Sequence, residues 1–140
     1  MDWKLEVVVL PVSDVDRAKD FYTDKLGFNL DVDHRAGENF RVVQLTPPGS
    51  ACSITMGVGL GDAEPGSVRS LQLVVSDIEA AHAQLVRRGV EVSDISHFEA
   101  GGMVAGLDPQ RREYGSFIFF SDPDGNTWAV QEGHRGEPAN

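Results

Sequence analysis

Cysteine is nearly absent from this chain: Cys52 is the only one. A single thiol cannot form an internal disulfide or a Cys-rich zinc site. It lies in Ser50-Ala51-Cys52-Ser53-Ile54, with no histidine nearby in sequence to activate it, so it reads as a packed strand thiol. No apolar run approaches the roughly 20 residues of a membrane-spanning helix, so no membrane partner is expected. Basic residues are scarce: Lys plus Arg is 12 against 22 for Asp plus Glu, a formal net charge of -10. Without a basic stripe to offset that charge, a phosphate backbone repels the protein, and nucleic acid is not expected as a partner. Phosphate loops, nucleophile elbows and dinucleotide fingerprints are also missing. The opening Met1-Asp2-Trp3-Lys4-Leu5-Glu6 lacks the basic region and apolar stretch of a secretion signal. With so little cysteine, the expectation is a cytoplasmic, reducing home.

What is present is an ordinary globular composition, 140 residues with 41% hydrophobic and 24% charged. That length suits one compact domain, or two half-size modules sharing a core. An internal repeat favours two modules. Leu10-Pro11-Val12-Ser13-Asp14-Val15-Asp16-Arg17-Ala18 is echoed by Leu73-Val74-Val75-Ser76-Asp77-Ile78-Glu79-Ala80-Ala81, offset by about 63 residues.

Each copy has the same physical logic. Leu5 to Val12 is a β-rich run of mostly Val and Leu. Ser13 or Asp14 can cap a following helix, because a short side-chain oxygen satisfies its free N–H groups. Val15, Ala18, Tyr22 and Leu26 recur at helical spacing, and Gly27 suits the left-handed position that ends a helix. In the second copy Asp77 caps, Ile78, Ala81 and Leu85 form the stripe, and Gly89 terminates. Strands are predicted at 28–32, 40–46 and 51–57, then at 90–93, 116–120 and 127–132. Asp122-Pro123-Asp124-Gly125-Asn126 reads as a tight turn. The predicted organisation is one domain over 1–140, with a first module at 3–60, a second at 66–132 and a frayed tail at 133–140. A long segment from Glu99 to Gly115 breaks the symmetry and reads as a ligand-related loop, an inert insertion or a dimer contact.

The paired β-α-β-β-β modules, the stretch from Val12 to Phe28 and the Asp-Pro-Asp-Gly-Asn turn at 122–126 resemble the vicinal oxygen chelate superfamily. Glyoxalase I, the bleomycin resistance proteins and the extradiol dioxygenases belong to that group. The resemblance implies an α+β fold in which two βαβββ modules form an open half-barrel with helices outside. It also implies a ligand on the concave face and, in many members, a homodimer. In the metal enzymes four positions, usually His and Glu, hold a divalent ion that stabilises an anionic substrate. Carried over one at a time, those positions fall on Val7, Ser70, Ala129 and the stretch Ser53 to Thr55. None offers an imidazole or a carboxylate, so no metal and no cofactor is expected.

Other residues then have to carry any function. His97-x-Glu99 can place an imidazole and a carboxylate on one strand face. With Tyr114, where the long loop rejoins the sheet, they are the candidate acid–base groups. Period-two alternation predicts ligand contacts from Val7, Val9, Ser70, Gln72, Thr127, Ala129 and Gln131. Gln44, Thr46, Ser53 and Thr55 supply polar points from the first half, and Phe117 closes over the ligand. A cup of mixed apolar and amide character suits a neutral or aromatic organic molecule. Three functions follow as expectations: a metal-free binder of an aromatic or natural-product ligand, like the bleomycin resistance branch; a metal-independent isomerase, epimerase or cyclase using His97, Glu99 and Tyr114; and a divalent-metal glyoxalase or dioxygenase with displaced ligands.

Overall fold

The structure is a computed structural model, and it describes residues 1–134. The expected frayed tail lies outside the described residues from 135 onward. The fold is α+β, with two open sheets of four and five strands. The chain divides into two compact units. The first comprises residues 1–68 together with 122–126, and the second comprises 69–121 with 127 onward. The short turn 122–126, placed in the second module by sequence, therefore belongs with the first unit.

In the first unit, β1 (Val7–Val9) leads into α1 (Val15–Asp20), then β2 (Asn29–Arg35), β3 (Arg41–Thr46) and β4 (Ser53–Val58). The sheet order is β1-β4-β3-β2, with β1 parallel to β4 and the other pairs antiparallel. The Asp14 carboxylate accepts from the Arg17 N–H and caps α1 as expected. The predicted single helix changes character midway: Phe21–Lys25 is a π-helix. Its wider turn keeps Tyr22 and Leu26, each four residues beyond the last, in line with Ala18, and all three are buried. The Thr23 hydroxyl donates to the Lys19 carbonyl at this widening. Helix and sheet enclose a core that includes Leu10, Phe28, Val43, Leu45 and Met56. Two ion pairs on the helix side of β2 and β3 join Asp33 to Lys19 and Arg41, and the guanidinium beside Asp33 holds its carboxyl well below the usual range.

In the second unit, β5 (Leu71–Val75) leads to α2 (Ile78–Arg87), β6 (Ser96–Glu99), β7 (Gly102–Ala105), β8 (Ser116–Ser121) and β9 (Thr127–Glu132). The order is β5-β9-β8-β6-β7. Without β7 this is the same pattern as the first sheet, as a duplicated module requires. Asp77 caps α2 by accepting from the Ala80 N–H. The core gathers Ile78, Leu85, Ile118, Phe120, Trp128 and Val130.

Two sequence expectations are corrected here. Residues 90–93 form no strand. Val90 is buried in a loop, and Ser93 clips to β8 by donating its N–H to the Phe119 carbonyl while its hydroxyl accepts from the Phe119 N–H, each at 2.9 Å. The strand falls later, at β6. The segment from Glu99 to Gly115 is not loop throughout, because its first part returns as β7 to pair with β6. Glycines at 101 and 102 allow that reversal, with Gly102 at φ 124°.

Candidate functional site

Each sheet has one face packed on its helix and a second face turned away from it. In the first unit, Val7 pairs with Ser53, Val9 with Thr55 and Gln44 with Thr55. Cross-strand partners share a face, so these residues and Thr46 lie together on the face away from α1, where Ser53 and Thr55 are buried and Val7 and Val9 are exposed. The Thr46 and Ser53 hydroxyls are 2.6 Å apart. The sequence reading names these residues as ligand contacts but does not include Asp31. A bulge in β2 skips Asp31 in the register between Leu30 and Val32. Its carboxylate accepts from the Thr46 hydroxyl and from Asn29 Nδ2, and those bonds hold it below the usual carboxylate range. No residue spacing announces a bulge, so a strict alternation could not find it. Val9 also lines a hollow of about 290 Å³ with Gly57, Leu60 and Val68.

In the second unit, Gln72 pairs with Ala129, and Gln131 Nε2 donates to Gln72 Oε1 at 2.6 Å. Phe117 pairs with Gln131, Phe119 with Ala129 and Ser121 with Thr127. These residues share the open face. Thr127 Oγ1 accepts from the Ser70 N–H at 2.7 Å, and Ser70 takes a left-handed φ of 58° just before β5.

An aromatic row crosses this face. Phe98 meets Phe117 edge to face at 5.3 Å between centroids, and Phe117 stacks with Phe119 at 6.0 Å and an interplanar angle of 3°. Phe98 is 54% exposed and Phe119 42%. Two exposed benzyl side chains flanking the half-buried Phe117 on one sheet face are a surface able to take a flat apolar group. Phe117 was expected from sequence; Phe98 and Phe119 were not. The signal for Phe119 was there, since Phe117-x-Phe119 has the same period-two spacing. Phe98 was masked because its strand was read six residues too early.

The proposed acid–base trio is not gathered in one place. His97 pairs with Ser116 across β6 and β8, on the helix-packed side and opposite the aromatic row. Its side chain is 7% exposed, with Nδ1 donating to the Gly106 carbonyl at 2.6 Å and Nε2 2.8 Å from Glu99 Oε1. Both ring nitrogens thus face acceptors. A neutral imidazole has one N–H only, so the arrangement favours the imidazolium and raises the His97 pKa, with the Gly106 carbonyl as the leading cause. Tyr114 sits apart from this pair. Its ring edge closes on Gly133 beside Val74, so close that a Cβ on Gly133 would come within 2.8 Å of it. Val74 is on the same strand face as Gln72, which puts Tyr114 at the end of the open face.

Loop 106–115 is pinned by buried charge. Asp108 is fully buried, accepts from the Arg112 guanidinium at 2.8 Å, and is held far below the usual carboxylate range by it. Arg111 donates to both oxygens of buried Glu132, at 2.8 and 2.6 Å.

The superfamily's metal positions do not fit a metal here. Val7 and Ala129 carry no donor atom, and Ser70 offers only a neutral hydroxyl, a poor ligand for a divalent ion. Among the described residues no group of three or more His, Cys, Asp or Glu side chains is disposed to hold an ion. No buried side-chain nitrogen or oxygen among them lacks a hydrogen-bond partner, so none is left waiting for one.

Residues 4–130 match the Glyoxalase/Bleomycin resistance protein/Dioxygenase superfamily. The chain belongs to that superfamily. Among solved structures it is similar to TnmS3, an antibiotic binding protein from Streptomyces sp. CB03234, with 32% identity and a TM-score of 0.73 over 94% of this chain and 97% of that one. A glyoxalase/bleomycin resistance protein from the same organism is 33% identical, with a TM-score of 0.70 over 92% of this chain and 100% of its own. YetH, an uncharacterized protein of Bacillus subtilis (strain 168), is 24% identical over 130 residues, covering 92% of this chain and 98% of its own. No helix among the described residues is long and apolar enough to cross a membrane.

Proposed function

We propose that this superfamily member binds a planar aromatic organic molecule, of the antibiotic or natural-product class, without a protein-bound metal. The observation that carries the reading is the row of Phe98, Phe117 and Phe119, exposed at both ends. Stacking on such rings contributes about 0.5–1.5 kcal/mol per aromatic pair beyond the area buried. Gln72 and Gln131 supply amide groups at the edge of that row, and Tyr114 supplies a hydroxyl at its end. The likeness to an antibiotic-binding protein at 32% identity supports the ligand class. In this reading the protein is a cytoplasmic homodimer, and the ligand leaves unchanged.

The competing reading is a metal-independent isomerase, epimerase or cyclase. The hydrogen-bonded pair of His97 and Glu99 favours it, since such a pair can move a proton. Burial of His97 behind the sheet favours binding instead, because a ligand on the aromatic row cannot reach its ring nitrogens.

The test is calorimetric titration with a panel of planar aromatic antibiotics, in chelator and then with Ni²⁺, Zn²⁺ or Mn²⁺ added. Binding in chelator is expected, with Phe119→Ala weakening it about tenfold or more and His97→Ala by less than about threefold. Dependence on an added ion would sink the metal-free reading. Turnover of the ligand, abolished in His97→Ala, would replace binding with catalysis.

A further inference from the structure

Among the described residues, the strand positions on the face of the aromatic row carry no charged side chain. They run from Gln72 and Val74 on β5 to Met103 and Ala105 on β7, and the register places each of them. All are apolar, hydroxyl or amide side chains, in a chain of which 24% is charged. The acidic residues of these strands, Glu99 and Glu132, lie on the other face, bonded to His97 and Arg111. The polar group nearest the row is a pair of amides. Gln131 stands opposite Phe117 in the register, and its Nε2 donates to Gln72 Oε1 at 2.6 Å. A carboxamide carries two N–H donors and a carbonyl acceptor, so this bond leaves the N–H groups of Gln72 and the carbonyl of Gln131 for a ligand.

We propose that the ligand of this face is uncharged where it meets the sheet and carries a carbonyl or hydroxyl oxygen, which the Gln72–Gln131 pair recognises. The inference rests on the aromatic row being a ligand surface, as read above, and names the chemistry by which the ligand is chosen. Desolvation is the first argument. A flat ring laid on the row loses water from one side. An ammonium or carboxylate attached to that ring loses part of its hydration too, and finds no opposite charge in exchange. A carbonyl or hydroxyl loses less and recovers a hydrogen bond from the amides. A benzyl face attracts a cation as well, but only weakly while the cation keeps its water.

The reach of the protein's field is the second argument. The formal charge of -10 draws cations toward the molecule as a whole. That attraction speeds encounter and is screened by salt within about 10 Å, so contact chemistry and not net charge selects what stays bound. Glutamate at position 72 or 131 would have the shape of glutamine and a full charge. The amide nitrogens are therefore the specificity-determining groups of this face.

The test uses the full chain and anthracene bearing, at one ring position, a hydroxymethyl, an aminomethyl or a carboxylate group. The last two are ionised at about pH 7. Fluorescence titration is expected to give the hydroxymethyl probe the lowest Kd, by about tenfold or more, at low and at high salt. Gln72→Glu is expected to make the aminomethyl probe the tightest, with an affinity that falls as salt rises. Gln72→Leu with Gln131→Leu is expected to weaken the hydroxymethyl probe relative to methylanthracene, which has no oxygen. If the unaltered protein binds a charged probe tightest, or all three alike, the inference is overturned and the aromatic row stands. Unchanged selectivity in Gln72→Glu would overturn the part given to the amides. Binding indifferent to Phe119→Ala would put the probe off this face and overturn the inference too. If no probe binds, methylanthracene included, the aromatic reading itself falls and this inference with it.

Discussion

The buried Tyr22 hydroxyl donates to Asp122 Oδ2 at 2.8 Å, joining residues 100 positions apart. The same carboxylate accepts from Asn126 Nδ2 and from the backbone of Asp124 and Asn126. Asn126 in turn donates to the Pro11 carbonyl and accepts from the Val68 N–H. The Asp-Pro-Asp-Gly-Asn turn is therefore a polar plug built into the first unit. Tyr22→Phe removes one charge-assisted bond and leaves the carboxylate with its other donors. A loss of about 1–2 kcal/mol is expected in denaturant unfolding. No measurable loss would mean that the plug is held without Tyr22.

Gly66 faces the other side of that turn. It has φ +79°, and a Cβ there would fall 2.0 Å from the Asp124 carbonyl oxygen. Backbone on both sides leaves nothing flexible to yield. Gly66→Ala is expected to cost about 2–5 kcal/mol, from overlap plus left-handed strain, lowering the thermal midpoint by many degrees.

Arg111 and Glu132 fasten the long loop to β9. Glu132 also accepts from the Ile78 N–H at the start of α2, so its charge is committed at a buried point. Arg111→Met would leave that carboxylate short of its cation. About 2–3 kcal/mol of destabilisation is expected, held down because Arg111 is itself half exposed. Arg111→Met with Glu132→Leu should recover part of the loss. A double variant no better than the single one would contradict this account.

His97 makes stability depend on pH near neutrality. Its folded pKa is raised above the unfolded value of 6.5, chiefly by the Gly106 carbonyl and also by Glu99. The imidazolium's contribution is thus complete below about pH 6.5 and is lost as pH rises through the raised folded value. The gap in thermal midpoint between wild type and His97→Leu should narrow from about pH 6 to pH 9. A gap independent of pH would show that the ring is held by packing alone.

Much of the architecture is legible along the chain because it depends on local chemistry. Asp14 and Asp77 cap their helices for the reason that any aspartate at such a position does. The two Val-Ser-Asp repeats announce two similar modules, and strand alternation groups Val7, Val9, Ser53 and Thr55 on one face and Gln72, Ala129 and Gln131 on another. The absence of a metal ligand at Val7 and Ala129 is equally plain, since a side chain without a donor atom lacks one in any fold.

The tertiary structure decided what depends on register and on distant partners. The His97 ring points behind the second sheet because Ser116, not Phe117, is its partner across β8. A shift of one residue would have put it on the aromatic row. The bulge at Asp31 turns a carboxylate onto the open face of the first sheet, and the long loop becomes a strand where β6 offers it a free edge. The turn 122–126 joins the first unit because Tyr22, Ser13 and Pro11 supply hydrogen-bond partners more than 90 residues away. Caps, turns and alternation are settled within a few residues of chain. Facing, bulges and long-range polar bonds are settled by which strand edge and which buried group lie opposite, and only folding brings those together.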